Sequence, residues 1–128
     1  DRRRLWGRPP GRPRVEAAAR YREALALNPD LPQAEEGLAR LAARAGDSAE
    51  AERHLLRAIE IAPVRFQPLR ELALLWQAQG KRVDSLHLWR DILLLAPNGT
   101  AIREAAEHIR RLEGPAAPTS EAGRGKRP

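Results

Sequence analysis

The sequence predicts an all-α fold, a solenoid of antiparallel helix pairs with about six helices. Three observations carry that expectation. Helix-stopping prolines fall at Pro29, Pro63 and Pro97, 34 residues apart both times, each behind an apolar run (EALALNP, AIEIAP, ILLLAP). Glycines recur with the same period at Gly46, Gly80 and Gly114. Between these markers the apolar positions fall into columns. Ala17, Ala51 and Ser85 make a small column, Tyr21, Leu55 and Trp89 a large one, and Ala24, Ala58 and Ile92 a third. Leu38 matches Leu72 and Ala106, while Leu41 matches Leu75 and Ile109.

The elements follow in order. Residues 1–14 (DRRRLWGRPPGRPR) carry six arginines, one aspartate and three prolines, and so predict a basic disordered arm. A helix over 15–28 runs to Pro29. The next, over 31–45, places Leu38, Leu41, Ala42 and Ala45 at three- and four-residue steps and is ended by Gly46, which can take the left-handed conformation. Asp47 or Ser48 then caps a helix over 48–62, with Glu50 or Glu52 in its first turn. Segments 65–79 and 82–96 repeat that pair. The last helix, 99–113, shows one apolar stripe of Ile102, Ala106, Ile109 and Leu112 amid charged residues, which suits a terminal cap. Residues 114–128 predict a disordered tail. The domain over 15–113 thus divides into a half repeat 15–30, repeats 31–64 and 65–98, and a capping helix 99–113.

The front of this array is short of one helix. Either Leu5 and Trp6 fold back over Val15, Tyr21 and Leu25, or another chain covers that face, or upstream sequence does. Self-association through helix 15–28 is one of these expectations.

The formal net charge is +6, but its location decides what it means. Residues 1–14 hold +5 and residues 114–128 hold +2, which leaves −1 for 15–113. A basic globular face of the nucleic-acid-binding kind is therefore not expected. The arm alone (Arg2, Arg3, Arg4, Trp6, Arg8, Arg12 and Arg14) offers an alternative partner, a nucleic acid or an anionic membrane surface. The alanine, arginine and proline bias fits a GC-rich bacterial genome, where an arginine cluster just after an upstream membrane anchor would follow the positive-inside tendency.

Signals for chemistry are poor. The chain has no cysteine, so neither disulfides nor thiolate metal sites are open to it. His54, His87 and His108 fall on three helices without metal-ligand spacing and read as surface residues. The carboxylate pairs Glu35–Glu36 and Glu50–Glu52 read as solvated helix faces. There is no glycine-rich phosphate loop and no nucleophile elbow, so no catalysis, metal or cofactor is expected. Trp76 and Trp89 occupy repeat columns and read as packing residues.

With the 34-residue period, Ala51, Leu55, Ala58 and Pro63 in one unit, and Leu72, Ala73, Trp76, Gly80, Trp89 and Pro97 in the next, the chain resembles the tetratricopeptide repeat family over residues 15–113. It departs where Ala39 and Ala73 replace the family's frequent glycine, Glu35 and Leu69 its tryptophan, and Ser85 and Ile92 its alanine. The resemblance implies a right-handed superhelix whose concave groove is lined by the first helix of each repeat, used to bind a peptide or partner helix. Its lining would be Gln33, Glu36, Arg40 and Arg44, then Gln67, Arg70, Leu74 and Gln77, then Glu104, His108 and Arg111. An arginine bias in that set suggests an acidic partner. A lysine/asparagine clamp for chaperone tails is not reproduced by Glu36, Arg40, Arg70 and Leu74. The implied role is a non-catalytic scaffold or assembly factor, or else the regulatory repeat segment of a larger enzyme.

Overall fold

The computed structural model describes residues 12–114. Among them it places α1 (Arg12–Leu27), α2 (Pro32–Arg44), α3 (Ser48–Ile61), α4 (Phe66–Ala78), α5 (Arg82–Leu95) and α6 (Gly99–Glu113), and no strand. The chain divides between Pro63 and Val64 into two compact units. One contains α1 to α3, the other α4 to α6.

α1 begins at Arg12, inside the stretch expected to be the arm. Pro13 sits in its first turn, where the missing N–H would have had no partner within the helix. The helix ends follow the local chemistry. At Gly46 and Gly80 φ is +82° and +79°, the left-handed region that glycine enters freely. Each turn closes with the same two bonds: Gly46 and Asp47 N–H donate to Ala43 and Ala42 carbonyls, and Gly80 and Lys81 N–H to Gln77 and Trp76 carbonyls. Asp47 then caps α3, its Oδ1 accepting the Glu50 N–H at 3.1 Å. Asn98 does the same for α6, accepting the Ala101 N–H at 2.9 Å.

In the first unit, Ala34, Leu38, Ala39 and Ala42 of α2 are buried together with Ala51, Leu55 and Ala58 of α3. α1 lies against α2 at Gly37, where a Cβ would come within 2.3 Å of the Tyr21 ring. In the second unit the core is Pro68, Leu69, Leu72 and Ala73 of α4 with Ser85, Trp89 and Ile92 of α5.

α6 packs on α5 with a face other than the expected stripe. Ala101 and Ala105 are buried, whereas Ile102 is 45 % exposed and Ala106 and Ile109 are half-buried. The reason is the helix's position. No described helix follows α6, so the side that α2 and α4 turn toward their second helix stays at the surface, and only the side toward α5 is covered.

Candidate functional site

The expected groove residues sit on α2, α4 and α6, and each unit places its own share. On α2, Gln33, Arg40 and Arg44 are exposed. Glu36 is not, at 3 % exposure, and neither is Glu35 at 8 %. The sequence alone places both on a solvated helix face, where a carboxylate pair ordinarily sits. Glu35 instead stands 34 residues before Leu69, in a core column, and its side chain turns to α3. There its Oε1 lies 2.7 Å from His54 Nδ1, and Arg57 Nε lies 4.0 Å from its Oε2. His54 is consequently 17 % exposed in its side chain rather than a surface histidine. Only His87 fits that expectation.

In the second unit Arg70 of α4 and Glu104 of α6 form a two-pronged pair. Nε donates to Oε1 at 2.6 Å and an Nη to Oε2 at 2.8 Å. These hydrogen bonds hold Glu104 below its ordinary carboxylate value and raise Arg70. Arg111 is matched by Glu107 at 2.7 Å. Gln67 is exposed and Leu74 half-buried. Gln77 is structural, since its Oε1 accepts the Trp89 indole N–H at 3.0 Å.

His108 is a packing residue as well. Its ring stacks on fully buried Trp89, with centroids 4.2 Å apart and planes 1° from parallel. Burial pushes its pKa down, and its Nδ1 is enclosed without a hydrogen-bond partner. The surface-histidine expectation therefore fails for His108 as for His54.

Arg70 and Glu104 form one side of an open depression of about 440 Å³, completed by Phe66, Asn98, Thr100 and Ala101. None of these last four was singled out from the sequence. Two signals pointed to them: Phe66 is the chain's single phenylalanine, and Asn98 follows the Pro97 stop as an evident helix cap. Among the described residues no group of three His, Cys, Asp or Glu side chains could hold a metal, and no helix is long and apolar enough to cross a membrane. Of the basic arm, Arg2, Arg3, Arg4, Trp6 and Arg8 lie outside the described residues, as does the tail from 115, while Arg12 and Arg14 belong to α1.

No protein-family model and no curated protein matches the sequence. Among solved structures, the chain is similar to the first tetratricopeptide repeat domain of Spaghetti (RPAP3) bound to an HSP90 peptide, SRMEEVD. The TM-score is 0.68 at 20 % identity, over 78 % of this chain and 79 % of that one. The 34-residue helix pairs, the glycine turns that close them and this structural likeness together establish a tetratricopeptide repeat fold, an all-α solenoid of helix pairs.

Proposed function

We propose that the protein is a non-catalytic interaction module that binds a peptide or partner helix, and that in the second unit the contact surface lies on α4 and α6. The observation that carries this reading is the depression beside α4 and α6. It joins an aromatic ring, a charged pair and small polar groups in one open hollow. Peptide binding by the structurally similar RPAP3 domain lends support.

The acidic preference suggested by counting arginines has unequal backing. Arg44 on α2 is exposed and fits it. In the second unit Arg70 and Arg111 already face Glu104 and Glu107, so an anionic peptide would have to displace an internal carboxylate. The hollow therefore suits a segment with an apolar or uncharged hydrogen-bonding side chain there.

Selecting random displayed peptides on the purified chain tests the reading. Selected peptides should bind at least tenfold more weakly to Phe66→Ala and to Thr100→Arg, with helicity unchanged by circular dichroism. Deletion of residues 1–11 should leave them bound. Peptides insensitive to both substitutions would sink this site, and binding lost with the arm would transfer recognition to it.

A further inference from the structure

The hollow has one wall on α4 and the other on α6, so its shape depends on how α6 is held. Ala101 and Glu104 of the second wall share a stripe with Ala105 and His108, at three- and four-residue steps. That stripe meets α5 at His108, whose ring lies parallel to fully buried Trp89 at 4.2 Å. Trp89 is fixed in turn, because its indole N–H donates to Gln77 Oε1 at 3.0 Å. A run of contacts therefore leads from Gln77 through Trp89 to His108. Glu104 stands one helical turn away, and its two-pronged pair reaches across to Arg70.

Packing alone would be served by an apolar ring at position 108. Imidazole adds a group that changes charge near neutral pH. Here the neutral ring fits and the cation does not. Nδ1 is enclosed without a hydrogen-bond partner, so a proton there would make an unpaired buried N–H on a charged ring. Charged neighbours do not offset that. On α6, Glu104 and Glu107 favour the cation and Arg111 opposes it. Arg70 opposes it from α4, and α5 presents the uncharged ring of Trp89. Burial is the largest influence, and the balance lies against the proton. Protonation therefore favours arrangements in which His108 has left Trp89 for water. The ties at the far end of α6, Arg90 to Glu113 at 2.9 Å and Arg82 to the Leu112 carbonyl, are exposed, where such contacts contribute little.

We infer that His108 is a proton-sensitive catch on the binding surface: when neutral it holds α6 against α5 and keeps the hollow assembled, and when protonated it releases that wall. Peptide affinity then falls with pH in a range where Glu104, held low by Arg70, keeps its charge. This regulation rests on the hollow being where the peptide docks.

Hydrogen exchange on the full chain reads the catch without any ligand. Between pH 7.5 and 5, exchange of α6 amides, corrected for the chemical rate at each pH, should rise several-fold relative to α4 and α5. One group that titrates near 6.5 when free and stays neutral while enclosed allows at most about thirtyfold at pH 5. His108→Phe, which keeps a ring on Trp89, should abolish the rise, and His87→Gln on the surface should leave it. A displayed peptide free of histidine and weakened by Phe66→Ala should lose affinity several-fold over the same range, but not on His108→Phe. An α6 whose exchange ignores pH, or responds equally in His108→Phe, would overturn the inference. So would a Phe66-dependent peptide that binds equally at both ends of the range. An α6 that loosens in acid while every selected peptide ignores Phe66→Ala would uphold the catch and sink only the hollow as docking surface.

Discussion

The α2–α3 hairpin and the α4–α5 hairpin are built on one 34-residue template and closed by the same glycine turn, yet they are filled differently. The first is packed mainly with alanines around Leu38 and Leu55. The second surrounds Trp89 with Leu69, Leu72 and Ile92. The contrast is sharpest at one contact. Where the second hairpin has Leu69 and Leu88, the first has Glu35 and His54 joined at 2.7 Å. The template therefore fixes where helices meet but not what meets there. One hairpin draws its cohesion from apolar volume, the other in part from a polar pair that must stay satisfied.

The largest expected effect tests the apolar side of that contrast. Trp89→Ala should cost about 3–5 kcal/mol, because it empties a fully enclosed site. It also strands Gln77 and His108. Leu55→Ala, in the same column of the first hairpin, should cost less, about 2–3 kcal/mol. Urea unfolding measures both, and a reversed order would break the comparison.

Next comes the polar contact. Either Glu35→Leu or His54→Leu alone should destabilise by about 1–3 kcal/mol, since each leaves a part-buried partner unsatisfied. The double substitution installs the second hairpin's contact and should return stability to within about 1 kcal/mol of the parent or above it. Additive losses in the double variant would mean that the pair is not a unit.

A similar or smaller change is expected where α1 meets α2. Gly37→Leu should cost about 1–3 kcal/mol by overpacking the Tyr21 ring, with part of the loss recovered in the Gly37→Leu, Tyr21→Ala double variant.

The smallest effect is on pH. Burial lowers the His108 pKa from its ordinary 6.5, so the unfolded chain binds that proton more readily. The corresponding stability is whole above about pH 6.5 and declines as pH falls toward the lowered folded value. Glu104, also lowered, keeps its contribution above the usual carboxylate range and loses it further down, as pH falls through its folded value. His108→Phe should flatten the first of these declines in urea melts taken from pH 7.5 to 5.

Much of the fold was legible in the sequence because it rests on short-range rules. Prolines that stop helices, glycines that turn left-handed and an aspartate that caps need only neighbours in sequence to act. The same rules misplaced side chains whose setting depends on a second helix. Charge alone places Glu35 and Glu36 in solvent, and only the presence of α3 across from Glu35 explains its burial. His108 became a packing residue because Trp89 lies under it. On α6 the covered face, Ala101 and Ala105, lies one step round the helix from the Ile102–Ala106 stripe, since periodicity shows that an apolar face exists but not which neighbour is there to cover it. The hollow at Phe66 and Asn98 joins residues 32 apart in sequence, beyond what spacing alone could bring together.

The glycine turns at Gly46 and Gly80 carry a kinetic consequence. Each joins two helices through three residues, so every contact inside a hairpin is local along the chain. Little loop entropy has to be spent before such contacts form, and low contact order of this kind gives fast folding. Each hairpin should act as its own nucleus. The slowest structural event in the first unit should then be the docking of α1, which joins its hairpin through Asn28, Pro29, Asp30 and Leu31 without a glycine turn. In hydrogen exchange α1 should open first, leaving α2 and α3 protected behind it.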